Sequence, residues 1–181
     1  MSESNIRLHG NGFIQIDVRQ HVRMHVWTPW TLVNAQKVHT PIHNHTFSFR
    51  SQIVKGTLRN QPYRVRFCER YQSTHDVYLA VSRSGQDTRL ALSSEWHVQA
   101  RESDAVLDWS AGETYAFDAG EFHESIPLTP VVITLMMKTS RDAAFGPFVL
   151  APHDVEPDND FNRYQHSEET LHREVMAALL A

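Results

Sequence analysis

Apolar residues in this chain recur with a period of two rather than 3.6, and that alternation commits most of it to β-sheet. Residues 13–27 read FIQIDVRQHVRMHVW, apolar and polar in near alternation and rich in β-branched side chains, as in strands with one buried face. Thr28-Pro29-Trp30 and Thr40-Pro41 interrupt the run, because proline has no amide to give to a ladder. Further strands are expected over 48–54, 56–59, 63–68, 76–82, 88–92, 95–100, 105–109, 114–117 and 131–138. The separators carry turn chemistry: Asn60-Gln61-Pro62, Ser84-Gly85-Gln86-Asp87, Ala111-Gly112, Asp118-Ala119-Gly120 and Thr129-Pro130. Many short strands at close spacing predict a sandwich or a closed barrel.

The tail has a different pattern. Residues 151–162 hold Pro152 and Pro157 among several acidic groups and read as an irregular connection. Ser167-Glu168-Glu169 then looks like a helix start, a hydroxyl cap followed by carboxylates that suit the helix dipole. Leu171, Val175 and Leu179 would make one apolar stripe on a short helix packed outside the sheets or on a second subunit, which with exposed barrel edges leaves a homodimer open without fixing the oligomeric state. With 181 residues and no internal repeat, one domain over 1–181 is expected, its barrel over 13–150 and its connection and helix over 151–181.

Charge and cysteine content narrow the partners. A net charge of −4 gives no electrostatic reason to expect nucleic acid or an anionic membrane. The polar start has no apolar export segment and no run is long enough to span a membrane, so a cytoplasmic setting is expected. A single cysteine, Cys68, excludes an internal disulfide and a thiolate metal cluster. The twelve histidines are unusual, and they matter only where several converge.

The stretch His43-Asn44-His45-Thr46-Phe47-Ser48-Phe49-Arg50-Ser51 ends, five residues on, at Gly56. In extended chain, residues two apart share a face, so His43 and His45 project together and chelate one ion without strain. Phe47 and Phe49 continue the same row and would wall the site, with Ser51 beyond. A third ligand is available at His123, which would open the next strand three residues after the turn glycine Gly120, in the stretch that begins Gly112-Glu113-Thr114-Tyr115.

These two stretches resemble the paired metal-binding motifs of the cupin superfamily. The first matches in its His-x-His and its closing Gly56; the second in Gly112, Gly120 and His123, with Asp118 in the place of a proline. The slot for the usual acidic ligand falls at Phe49, and Pro127 stands where asparagine often follows. The chain is therefore similar to the three-histidine cupins, among them thiol dioxygenases such as cysteine dioxygenase, although that enzyme's Ser-His-Tyr relay has no clear counterpart here. The resemblance implies a jelly-roll barrel in which His43, His45 and His123 hold a divalent metal, iron(II) first, with zinc and nickel as alternatives. It also implies an oxygenase acting on a small anionic molecule such as a thiol or diketone. A non-catalytic binding module and a metal-assisted isomerase or cyclase are the competing classes.

Three neutral imidazoles leave a metal(II) centre at its full +2 charge, which favours an anionic ligand, and they leave coordination positions open. Around them, Tyr115 is expected to donate its hydroxyl to a bound oxygen species. Arg64 and Arg66, which share one strand face, would meet a substrate carboxylate. The plainer readings are a half-buried tyrosine at a barrel end and an exterior arginine row. Trp96 and Phe122 are candidates for the pocket mouth, and His21 and His25 for a solvated strand face.

Overall fold

A computed structural model describes residues 5–35, 41–83, 87–142, 146–153, 155 and 162–181. Twelve strands carry the chain: β1 (Ile6–His9), β2 (Phe13–Arg19), β3 (Val22–Trp27), β4 (Phe47–Lys55), β5 (Thr57–Phe67), β6 (His75–Arg83), β7 (Asp87–Glu102), β8 (Leu107–Ser110), β9 (Thr114–Phe117), β10 (Phe122–Pro127), β11 (Val132–Arg141) and β12 (Phe148–Pro152). Among the described residues two α-helices, α1 (Pro29–Asn34) and α2 (Glu168–Leu180), and a single 3-10 turn at Arg70–Gln72 complete it. The strands form two antiparallel six-stranded sheets, one in the order β1-β2-β3-β11-β4-β9, the other β10-β5-β7-β6-β12 with β8 beside β5. The all-β class and the C-terminal helix are thus as expected. The ladders, however, form two open sheets and not one closed barrel among the described residues.

Alternation gives the first sheet two working faces. On one, Ile14, Val26 and Ile133 pack with Ile6, Leu8 and Leu171, Val175 and Ala178 of α2. On the other, Phe13, Trp27, Phe49, Ile53, Tyr115, Val132 and Met136 meet Leu58 and Trp109 of the second sheet. The sheets therefore share a buried interior, and α2 covers the outside of the first, one of the two placements expected for it.

Several boundaries differ from expectation, each for a local reason. Asn60-Gln61-Pro62 is not a turn but the middle of β5. That strand pairs with β8 up to Asn60 and with β7 from Tyr63, so the missing amide of Pro62 falls where the partner changes. Residues 88–92 and 95–100 are likewise one strand, β7. The Thr28-Pro29 interruption is a helix start: Thr28 and Thr31 form a reciprocal capping box and Pro29 occupies the first turn. In α2 the buried residues are Leu171, Val175 and Ala178, while Leu179 is 45% exposed. At 3.6 residues per turn, position 178 lies about 20° from 171 and position 179 about 80° away. The expected turn Ser84-Gly85-Gln86 and most of the 151–162 connection lie outside the described residues, but Ala151 and Pro152 belong to β12. No described helix is long and apolar enough to cross a membrane.

Candidate metal centre

The segment entering β4 carries the first two histidines. His43 is not in a regular strand; it forms an isolated bridge with His123 on one side and Val149 on the other. Its backbone exchanges two hydrogen bonds with His123, N–H to O at 3.0 Å and back at 2.9 Å, which sets the two imidazoles side by side. Gly120, at φ +86°, donates its N–H to the carbonyl of His45 at 2.9 Å. The glycine of the second stretch thus holds the histidine of the first. Asn44, between the two ligands, points away and is buried; its side-chain oxygen accepts from the N–H of Phe148 at 2.7 Å. Gly56, at φ +77°, sits so close to Val131 that an added Cβ would overlap its carbonyl oxygen.

The result is convergence. One ring nitrogen from each of His43, His45 and His123 lies within 4.8 Å of the other two. The Nδ1–H of His43 donates to the carbonyl of Pro41 at 2.8 Å, and that of His123 to the carbonyl of Glu121 at 3.2 Å. A carbonyl only accepts, so these contacts call for the proton on Nδ1 and a lone pair on Nε2, the tautomer a metal ligand needs. At His43 the 2.8 Å contact to Pro41 outweighs the Nδ2 of Asn11 at 3.3 Å from the same nitrogen, an amide whose two ends can exchange. His45 stacks on Phe47 with ring centroids 4.9 Å apart. Burial holds the imidazoles of His45 and His123 well below the usual histidine range and lowers that of His43. Three neutral nitrogen donors with two ring orientations fixed by carbonyls fit a divalent ion.

Phe49 and Tyr115 stand behind the triad, and with it they line an inner cavity of about 60 Å³ that also touches Trp27 and Ser51. Tyr115 is buried among Phe49, Trp109 and Phe117, with Ser51 and Asn60 beside its hydroxyl. Burial raises its pKa, partly offset by those two neighbours, so the hydroxyl stays a donor. Phe47 lines a wider outer chamber of about 300 Å³ that shares His43 and His45. Phe47, Phe49 and Ser51, which parity sets in one row with the histidines, and Tyr115 of the second stretch all border these cavities.

The arginines are elsewhere. Arg64 and Arg66 point out of β5 into solvent, Arg64 opposite Arg101 and Arg66 bonded to Gln99 at 3.3 Å, and neither lines a cavity. On this half of β5 the inward positions are the odd ones, with Tyr63 and Val65 packed on the core, so 64 and 66 face out. Leu58 and Asn60, buried on the even positions, precede the change of partner at Pro62. Trp96 packs on Phe67 and Phe148, and Phe122 on the core near Val98; neither borders the cavities. His21 lies in the β2–β3 turn at φ +65°. Among the residues that face the outer chamber without having been expected are His9, Asn11, Gln15, Arg23, His25 and Arg163. Arg23 and His25 alternate with the apolar Val22, Met24 and Val26, which identified a polar row but not that the row is covered.

No family model matches this chain, and no curated protein matches it. Among solved structures it is similar to hydroquinone 1,2-dioxygenase PnpCD, crystallised with Cd2+ and 4-hydroxybenzonitrile, at 10% identity and a TM-score of 0.33. The similarity covers 71% of this chain and 58% of that one, so the chain spans little more than half that protein's length. A likeness at this level carries no activity across.

Proposed function

We propose that this chain is a cupin-like metalloenzyme, an iron(II)-dependent dioxygenase of a small anionic molecule, with His43, His45 and His123 as its metal ligands. The convergence of three neutral imidazoles from two distant stretches, at the junction of two cavities, carries this reading. A structural metal is usually enclosed by four protein ligands, whereas a triad beside open space suits a site that exchanges ligands. When bound, iron(II) would supply a Lewis acid with free positions for substrate and O2.

The chain's own residues define the surroundings. Phe47 and Phe49 present apolar faces that exclude water next to the triad. Tyr115 keeps a protonated hydroxyl at the inner cavity, where it donates to an oxygen atom of whatever occupies that space. The backbone carbonyls of Pro41 and Glu121 keep the Nδ1 protons of His43 and His123 in place. The absence of a carboxylate from the triad leaves the centre at +2, which selects an anionic partner.

The test is elemental analysis of chain purified without chelators, followed by anaerobic iron loading and oxygen-electrode assays on thiols and diketones. Substrate-dependent oxygen uptake is expected in the parent and none in His123→Ala, whose metal content falls from about one ion per chain towards zero. Tyr115→Phe should keep the metal and lose roughly tenfold or more in turnover. Product formation under argon would replace the oxygenase with an isomerase or cyclase. Ligand binding without any turnover would leave a binding module.

A further inference from the structure

The outer chamber contains a charge that its own walls do not balance. Asp17 is shared by two arginines, accepting from Arg7 at 2.7 Å and from Arg23 at 3.0 Å. Arg163, from the segment just before α2, stands with them; among the described residues it has no carboxylate partner, and its Nε makes no hydrogen bond. Among the described residues, three guanidinium groups stand against one carboxylate, which leaves the cluster at about +2. Arg23 and Arg163 line the chamber, and no aspartate or glutamate does among the described residues. Burial and the other two arginines lower the pKa of Arg163 only to about 10, so it remains charged at neutral pH. The neighbouring His9 and His25 are kept neutral by burial and by the arginines beside them.

A desolvated, unpaired guanidinium is costly, and chains retain one where a ligand supplies the counter-charge. The position of Arg163 is also built: its carbonyl accepts from the N–H of Leu8 at 3.1 Å, and His166 packs edge-on against Trp30 nearby. The rest of the chamber wall is largely carbon, from Phe13, Phe47, Met136 and Phe148. An inorganic oxyanion gains nothing from such a wall, whereas an organic acid buries its skeleton there. We infer that the outer chamber is a carboxylate-binding site in which Arg163, supported by Arg23, receives the acid group of a small organic molecule whose other end reaches His43 and His45. This names the substrate class of the proposed enzyme, a carboxylic acid bearing a metal-binding donor, and its link to the triad rests on that proposal.

The experiment uses the full chain loaded with redox-inert Zn(II) and two probes, 3,4-dihydroxybenzoate and catechol, which share one metal-binding pair and differ by a carboxylate. Calorimetry should show the acid binding tighter by about tenfold or more, with the advantage shrinking as salt rises. Arg163→Met should remove the advantage and leave catechol affinity unchanged, while Arg163→Lys keeps part of it. The same Arg163→Met change should leave the ligand-free protein equally or more heat-stable, because it deletes a half-buried charge with no carboxylate partner among the described residues. Loss of folding in Arg163→Met would assign the arginine a structural role and overturn the inference. Equal affinities for the two probes would overturn it as well, and so would inorganic phosphate displacing the acid more strongly than benzoate does. If the triad binds no metal, titration of the metal-free chain with benzoate separates the two ideas. Binding that Arg163→Met abolishes keeps the acid site and ends the metal reading; no binding ends the acid site too.

Discussion

Gly56 shows how a single residue can support a histidine triad it never touches. Its φ of +77° is unfavourable for any other L-residue, and a Cβ there would run into the Val131 carbonyl and the Thr129 hydroxyl. That close approach locks the end of β4 against the start of β11, and β4 continues the segment that presents His43 and His45. Gly56→Ala should therefore destabilise the protein by about 2 kcal/mol or more, read from urea melts, and weaken metal retention in parallel. Gly112, also at positive φ but with open space around its missing Cβ, should cost less on the same substitution. At this scale the sequence was informative where a local pattern fixes chemistry. Two histidines two apart, a turn glycine and a third histidine sufficed to locate the triad. It was uninformative about the arginines, because alternation sorts a strand into two faces without saying which face is covered. Arg64 and Arg66 turned out to be an exterior row, while Arg23, in a row that reads as solvated, faces a chamber. Arg163 was out of reach altogether, since it arrives from an aperiodic tail.

Elements follow the same division. Strand 114–117 matched residue for residue, and the other strands matched in type with merged or shifted ends, because periodicity marks existence better than limits. The short strands β1 and β12 were missed; four or five residues offer too few alternations to register. Helix α1 was legible in principle, since Thr28 followed by Pro29 is a start signal, but six residues cannot display a 3.6-residue period. In α2 the cap was readable and the stripe was one position off. The correction is testable. Leu171→Ala, at a site 1% exposed and packed on β1, should cost about 2–5 kcal/mol, while Leu179→Ala should change stability by less than about 0.5. Ser167→Ala, which removes the side-chain acceptor for the Thr170 N–H, should cost about 1 kcal/mol. Chemical denaturation of the three variants decides among these; a Leu179→Ala loss matching that of Leu171→Ala would put the stripe back where spacing alone placed it.

At the scale of the whole molecule, the two sheets enclose an uncommon number of uncharged imidazoles. Burial depresses the pKa values of His9, His43, His45 and His123, and takes that of His25 to about 3. In the unfolded chain each titrates near 6.5. Between that value and the depressed folded values, the unfolded state binds protons that the folded state refuses. The sign follows: stability rises with pH across this window and is lost as pH falls below about 6.5, by up to about 1.4 kcal/mol per pH unit for each imidazole fully engaged. Asp17, whose carboxyl is held low by Arg7 and Arg23 against the opposing effect of burial, adds a loss of the same sign at lower pH. The metal-free protein should therefore show urea midpoints that are level from pH 8 to 7 and then drop steeply towards pH 5. Zn(II) should lift the curve without flattening it, because the folded triad is already unprotonated and an ion on it adds stability while the unfolded chain still takes up the same protons. His25→Phe removes one buried imidazole without touching the triad and should shallow the metal-free slope by about one proton. A metal-free profile that stays level down to pH 5 would mean these rings are wetter than their packing implies, and with them the chamber in which the acid group is placed.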